Sequence, residues 1–248
     1  MNAEPIEILY RDAYLVAVNK PAGMMVHRSS LEWRGRHFVL QQLRRQIGYR
    51  VYPAHRLDKP TSGVLLFSLK REVARMLAGI FARREVDKTY LAVVRGWLDP
   101  EGTIDYPVRR DPSRKRVQNN LKSALTDYRT LATNELPVAV GRYRTARYSL
   151  VAVFPRTGRR HQIRHHMHHI SHPIIGDKRH GDNKHNRLFK EKFGCDRMLL
   201  AAMELSLTHP VSAEELTITA ALDPTFSSMI YWFDWQDVLP SRWLPHHR

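Results

Sequence analysis

From Lys88 onward the chain offers six runs with strand-like composition, Thr89 to Trp97, Thr103 to Val108, Ala124 to Leu131, Thr145 to Phe154, Leu199 to Leu207 and Leu216 to Leu222. Only two helical stretches interrupt them, Arg159 to Ile170 and Phe226 to Trp235. So many short strands must share a large sheet, because an isolated strand cannot satisfy its backbone polar groups. The first third of the chain alternates more evenly. Ile6 to Tyr10 and Tyr14 to Val18 flank Arg11-Asp12-Ala13 as a strand pair closed by a short turn. Val39, Leu40, Leu43 and Ile47 have helical spacing, with Gly48 as a stop, and Val64 to Leu69 is a buried strand. Val73, Met76, Leu77, Ile80 and Phe81 form a second helical stripe. The expected class is α+β, with a mixed, mainly antiparallel central sheet flanked by helices. Two stretches rich in Arg and Lys, Arg109 to Lys122 and Lys178 to Lys192, read as loops. No repeat, low-complexity linker or composition break divides the chain, so a single domain over residues 1–248 is expected.

The charge balance narrows the partner. Forty Lys and Arg against 24 Asp and Glu leave a formal charge of +16, which favours a polyanion, nucleic acid first. A membrane surface ranks lower, since no long basic amphipathic helix is present. The lone Cys195 rules out an internal disulfide and a Cys-rich zinc site. Residues 1–10 lack the pattern of a secretory leader, and no apolar run approaches the ~20 residues of a membrane span. A cytoplasmic protein in a reducing compartment is expected.

Chemistry concentrates in His55-Arg56-Leu57-Asp58-Lys59-Pro60-Thr61-Ser62-Gly63. Asp58 lies between cations on a turn, and nearby positive charge favours an ionised carboxylate. Such a group is either a nucleophile or cation stabiliser, or one half of an ordinary surface ion pair. In Arg156 to His165, Arg160 and Arg164 are four apart and would share a helical face. Spacing alone favours both facing solvent; an arginine turned inward would need a carboxylate, for which Asp58 is the candidate. His161 and His165 have the i, i+4 spacing of a zinc pair. No Glu follows the first His, and Cys is absent from the run, so the expected metal set is none and the histidines are expected along a phosphate backbone. Phosphate-loop, dinucleotide and nucleophile-elbow motifs are all missing. No cofactor is implied.

Three segments together resemble the pseudouridine synthases of the RluA-type family: Asn19-Lys20-Pro21-Ala22-Gly23 with His27, then His55 to Gly63, then Gly158 to His165. Lys88-Thr89-Tyr90 lies between the second and third, in family order. His27-Arg28-Ser29, His172-Pro173-Ile174-Ile175-Gly176-Asp177 and His180-Gly181-Asp182 are similar to members that act on tRNA, at the T-stem uridine numbered 65. The resemblance implies the pseudouridine synthase fold with its active cleft across the sheet. It implies Asp58 as the catalytic aspartate, Tyr90 stacked on the target uracil, and Arg164 holding Asp58 through an ion pair. Arg56 becomes the mobile arginine that replaces the flipped nucleotide or contacts its phosphate. Many relatives carry a small N-terminal RNA-binding domain of the S4 type. Here the first catalytic strand begins almost at once, so RNA grip is expected from the catalytic domain, acting as a monomer without a protein partner. A ribosomal RNA synthase of the same family and a non-catalytic RNA-binding protein are the alternatives.

Overall fold

A computed structural model describes residues 4–27, 38–109 and 121–245. In chain order the elements are β1 (Ile8–Arg11), β2 (Leu15–Lys20), α1 (Val39–Ile47), β3 (Tyr52–Pro53), β4 (Ser62–Ser68), α2 (Arg71–Arg83), β5 (Val86–Arg95) and β6 (Glu101–Asp105). There follow β7 (Val108–Arg109), β8 (Leu121–Lys122), β9 (Leu125–Leu136), β10 (Ala146–Pro155), α3 (Gln162–His169), α4 (Asn183–Phe193), β11 (Leu200–Thr208), β12 (Glu215–Thr219) and α5 (Pro224–Trp232). The class is α+β with mainly antiparallel strand pairing. Two compact units divide the chain, the first made of Met1–Lys88, Ala201–Asp223 and Ser241–Arg248, the second of Thr89–Leu200 and Pro224–Pro240.

In the first unit β1, β2 and β4 pair antiparallel in that order, β4 runs parallel to β11, and β12 returns antiparallel beside β11. The turn between β1 and β2 is set by Asp12, whose Oδ1 accepts the amides of Tyr14 at 2.7 Å and Leu15 at 2.6 Å. Every residue of β4 is buried, as an almost continuous apolar run in a strand covered on both faces requires. Val73 and Leu77 of α2 pack with Leu15, Val64, Leu66, Leu205 and Ile218 into one core. Met76, which the stripe placed inward, is 47% exposed. Gly63 has a structural reason to be glycine: its φ is +104°, and a Cβ there would stand 2.0 Å from the Ala202 carbonyl oxygen on β11.

In the second unit β5, β10, β9 and β6 form an antiparallel series, with Val153 of β10 opposite Tyr90 of β5. Ile163 and Met167 of α3 pack on Ala92, Val94, Val151 and Val153. Full burial of a side chain such as Met167 contributes about 1.5–3 kcal/mol.

Two expectations need correction. The stretch read as a loop from Lys178 to Lys192 contains α4, whose amino end is capped by the Asp182 carboxylate accepting the Lys184 amide at 2.9 Å. Its inward face is small, only His185 and Phe189, but Phe189 meets Tyr148 at 5.0 Å and Phe233 at 5.9 Å between ring centres. That aromatic packing stabilises a helix whose remaining residues are mostly polar. The helix expected to begin at Arg159 begins instead at Gln162, because His161 is left-handed at φ 54°. Residues 110–120 of the other basic stretch, and Arg28 and Ser29, lie outside the described residues. Among the described residues no helix is long and apolar enough to cross a membrane.

Candidate active site

β2 ends at Lys20, and the chain turns at once through Pro21 to Gly23. Lys20 is fully buried, with Nζ donating to the carbonyls of Pro21 at 2.8 Å, Met24 at 2.7 Å and Lys59 at 3.1 Å. An ammonium group removed from water costs several kcal/mol unless its N–H bonds are replaced, and these carbonyl dipoles replace them. Gly23, left-handed at φ 83°, also donates its amide to the Lys59 carbonyl at 2.8 Å. The first two recognisable segments are therefore one structure. Asn-Lys-Pro-Ala-Gly anchors the loop that carries Asp58.

That loop is tied down on both sides of the carboxylate. Leu57 is buried, and the Asp58 carbonyl accepts the Thr61 amide at 3.1 Å just before β4 begins. At the amino side His55 Nε2 accepts the Leu66 amide at 3.1 Å, while its ring stacks on Phe81 at 5.3 Å. An accepting Nε2 requires a neutral ring with its proton on Nδ1. Burial, helped by the charge of Lys88, lowers the His55 pKa to about 4. Asp58 is half-buried and Arg56 is exposed. The carboxylate is thus carried on a braced turn, next to the exposed Arg56.

Tyr90 and Arg164 stand in the second unit. Tyr90 is half-buried against the core that includes Ile163 and Met167. Gln162, which opens α3, is buried and fully used. Its Oε1 accepts from Thr157 Oγ1 at 2.7 Å and the Arg159 amide at 3.0 Å, and its Nε2 donates to the Leu125 carbonyl at 3.0 Å and Thr126 Oγ1 at 2.9 Å. This network explains why Thr157 and Gln162 flank the Gly158-Arg159-Arg160-His161 turn.

Arg164 is inside, 6% exposed, while Arg160 is exposed. The expected shared helical face fails because Arg160 precedes the helix, across the left-handed His161. Arg164 grips Asp177 in a bidentate pair, Nε to Oδ2 at 2.7 Å and Nη2 to Oδ1 at 2.7 Å. Burial alone would raise the Asp177 carboxyl; the Arg164 guanidinium and the amides of His180 and Arg179 outweigh it and hold the carboxyl below its ordinary range. Spacing did not nominate Asp177 as a partner. The signal available was the acidic residue closing His172 to Asp177, where Gly176 has φ +78° and a Cβ would stand 1.9 Å from the Arg197 carbonyl oxygen. Asn186 of α4 completes the frame, accepting the Gly176 amide at 2.7 Å and donating to the Asp177 carbonyl at 3.0 Å.

A second arginine was overlooked. Arg197 donates to the carbonyls of Met198 at 2.8 Å and Leu200 at 3.2 Å, and burial lowers its pKa to about 10. The histidines divide: His168 and His169 are exposed, as phosphate contact requires, but His166 is buried with Nε2 2.9 Å from the Tyr106 carbonyl oxygen. The expectation of a phosphate-facing run fails for His166.

The chain belongs to the RNA pseudouridylate synthase family, whose model matches residues 14–169. Members of that family are isomerases. The chain is 48% identical over 239 residues to the tRNA pseudouridine synthase C of Vibrio cholerae, covering 94% of this chain and 98% of that one. It is 48% identical over 238 residues to the tRNA pseudouridine synthase C of Haemophilus influenzae, covering 94% and 100%. Among solved structures, human RNA Pseudouridylate Synthase Domain Containing 4 matches with a TM-score of 0.70 at 25% identity, covering 92% of this chain and 93% of that one. Human RNA Pseudouridylate Synthase Domain Containing 1 matches with a TM-score of 0.67 at 27% identity, covering 97% and 89%.

Proposed function

We propose that this protein isomerises a uridine of tRNA, position 65 in the T stem, with Asp58 as the catalytic carboxylate. The observation that carries the assignment of Asp58 is its turn: Lys20 and Gly23 both bind the carbonyl of the next residue, so the carboxylate is positioned before substrate arrives. The choice of tRNA rests on relatives named tRNA pseudouridine synthase C.

The reaction breaks the glycosidic C1′–N1 bond, turns the detached uracil and joins C1′ to C5. The C5 proton is then lost, and N1 ends protonated. No electron is gained or lost, so the chemistry calls for no redox cofactor. Asp58 acts either as a base that removes the C2′ proton, giving a glycal, or as a nucleophile at C1′, as the carboxylate of a retaining glycosidase does. Both routes need an ionised carboxylate facing an electron-poor sugar. Tyr90 provides a flat surface on which the free base is retained. Flipping a paired uridine costs a few kcal/mol, which phosphate contacts from a chain of net charge +16 offset. Arg56, exposed beside Asp58, fills the place of the flipped nucleotide or binds its phosphate. The resemblance assigns Arg164 to an ion pair with Asp58, and Asp177 supports that role by fixing the guanidinium plane.

Asp58→Asn tests the reading. Pseudouridine formation in tRNA should be lost while tRNA binding is largely kept, and retained turnover would overturn the assignment. Pseudouridine mapping of total RNA from cells with and without the protein decides the substrate; a signal lost from ribosomal RNA instead of tRNA position 65 would move it.

A further inference from the structure

The structure places His180 against His161 and His165, and we propose that these three imidazoles form a binding site for a first-row divalent metal ion, Zn2+ in particular. His161 and His165 alone make an incomplete pair. The third ligand comes from beyond the histidine run, which is why spacing along the helix did not suggest it. His161 Nδ1 lies 3.1 Å from His180 Nε2, and one nitrogen from each of the three rings lies within 4.8 Å of the others. Two nitrogens bound to one tetrahedral zinc at about 2.0–2.1 Å stand roughly 3.4 Å apart. The His161–His180 pair, which shares a hydrogen bond at 3.1 Å, lies close to that spacing, and His165, whose ring centre is 4.2 Å from that of His180, would have to close in to complete the set.

The scaffold beneath the cluster is preformed. His161 stands at the amino-terminal cap of α3 and His165 in its first turn. His180 is held by its amide, which donates to Asp177 Oδ1 at 3.0 Å, the same carboxylate that clamps Arg164 from α3. All three rings are half-buried, so an ion can reach them. Three neutral imidazoles without thiolate or carboxylate suit zinc, nickel or copper and not magnesium or calcium. Arg164 and Arg179 lie close enough to His165 to oppose a cation, and Asp177 favours one. Asp177 is engaged with Arg164, so the net field is mildly repulsive and binding should be weaker than in a thiolate site. Bound metal would fasten the 177–182 loop to α3 and hold Arg164 in place.

The test uses the full chain without an affinity tag and without RNA, so its outcome is separate from that of the isomerase assignment. After stripping with EDTA, the protein is titrated with Zn2+, bound metal is counted by mass spectrometry, and Co2+ is used for its visible spectrum. One equivalent per chain and an intense tetrahedral-type Co2+ band are expected. His180→Gln and His165→Gln should each weaken Zn2+ binding about tenfold or more, whereas the double change His246→Gln, His247→Gln should leave it unchanged. Circular dichroism checks folding, and either single variant carries the test if the other fails to fold. No saturable equivalent, a water-like octahedral Co2+ spectrum, or unchanged affinity in the folded variants would overturn the site.

Discussion

Both units bury a cation beside a functional segment, but they neutralise it differently. In the first, Lys20 donates to three backbone carbonyls. In the second, Arg164 meets the full negative charge of Asp177 in a forked geometry. Lysine is a compact point charge that a ring of dipoles can satisfy, whereas a guanidinium plane is matched by a carboxylate. The first arrangement ties loop to loop; the second locks a side-chain plane. Removing one partner should therefore be far more damaging in the second.

The largest effect is expected for Asp177→Asn. It takes the charge away from a buried guanidinium, a loss of about 3–5 kcal/mol, visible as a fall in the urea or thermal midpoint. A change under about 1 kcal/mol would mean that the pair contributes as little as a surface pair.

Acid should separate the two regions next. The folded His55 pKa is depressed to about 4 from 6.5, so between those values the unfolded chain binds the extra proton. Its contribution is complete above pH 6.5 and is lost as pH falls towards 4, by up to about 3 kcal/mol. Asp177, held below its ordinary 3.8, contributes above that value and loses its contribution only as pH falls further. Hydrogen exchange followed down the pH scale should show the 54–61 loop loosening first, and α3 failing before it would reverse the comparison.

Lys20→Met should cost about 1–3 kcal/mol, since it leaves carbonyls unpaired but removes a buried charge with them. Its more telling result is kinetic: turnover should fall more than tRNA affinity, because the Asp58 loop loses an anchor. A loss of tRNA affinity with turnover unchanged would show that Lys20 acts on binding alone. Smallest in stability is Arg56→Ala, within about 0.5 kcal/mol because the side chain is exposed, with a clear drop in turnover. Unchanged turnover would remove Arg56 from the mechanism.

Much of the local structure was legible in the residues. The α1 stripe ends where Gly48 takes φ 75° and caps Arg44, and the β4 run is buried throughout. α4 was not legible, because a helix with two inward residues has no periodic stripe; its stability comes from Tyr148 and Phe233, distant in sequence. Spacing favoured solvent for both Arg160 and Arg164; Arg164 is instead buried, against Asp177 on a loop that α4 holds in place.

By itself the sequence determined the strand and helix periods, the order of the motifs and the choice of Asp58 as the group to watch, since each depends on neighbours along the chain. Tertiary structure decided which arginine is buried, what neutralises Lys20 and Arg164, and that His180 joins His161 and His165. Those outcomes depend on residues as much as 39 positions apart, Lys20 and Lys59 among them. Desolvation and charge compensation act through space, so no reading of adjacent residues contains them.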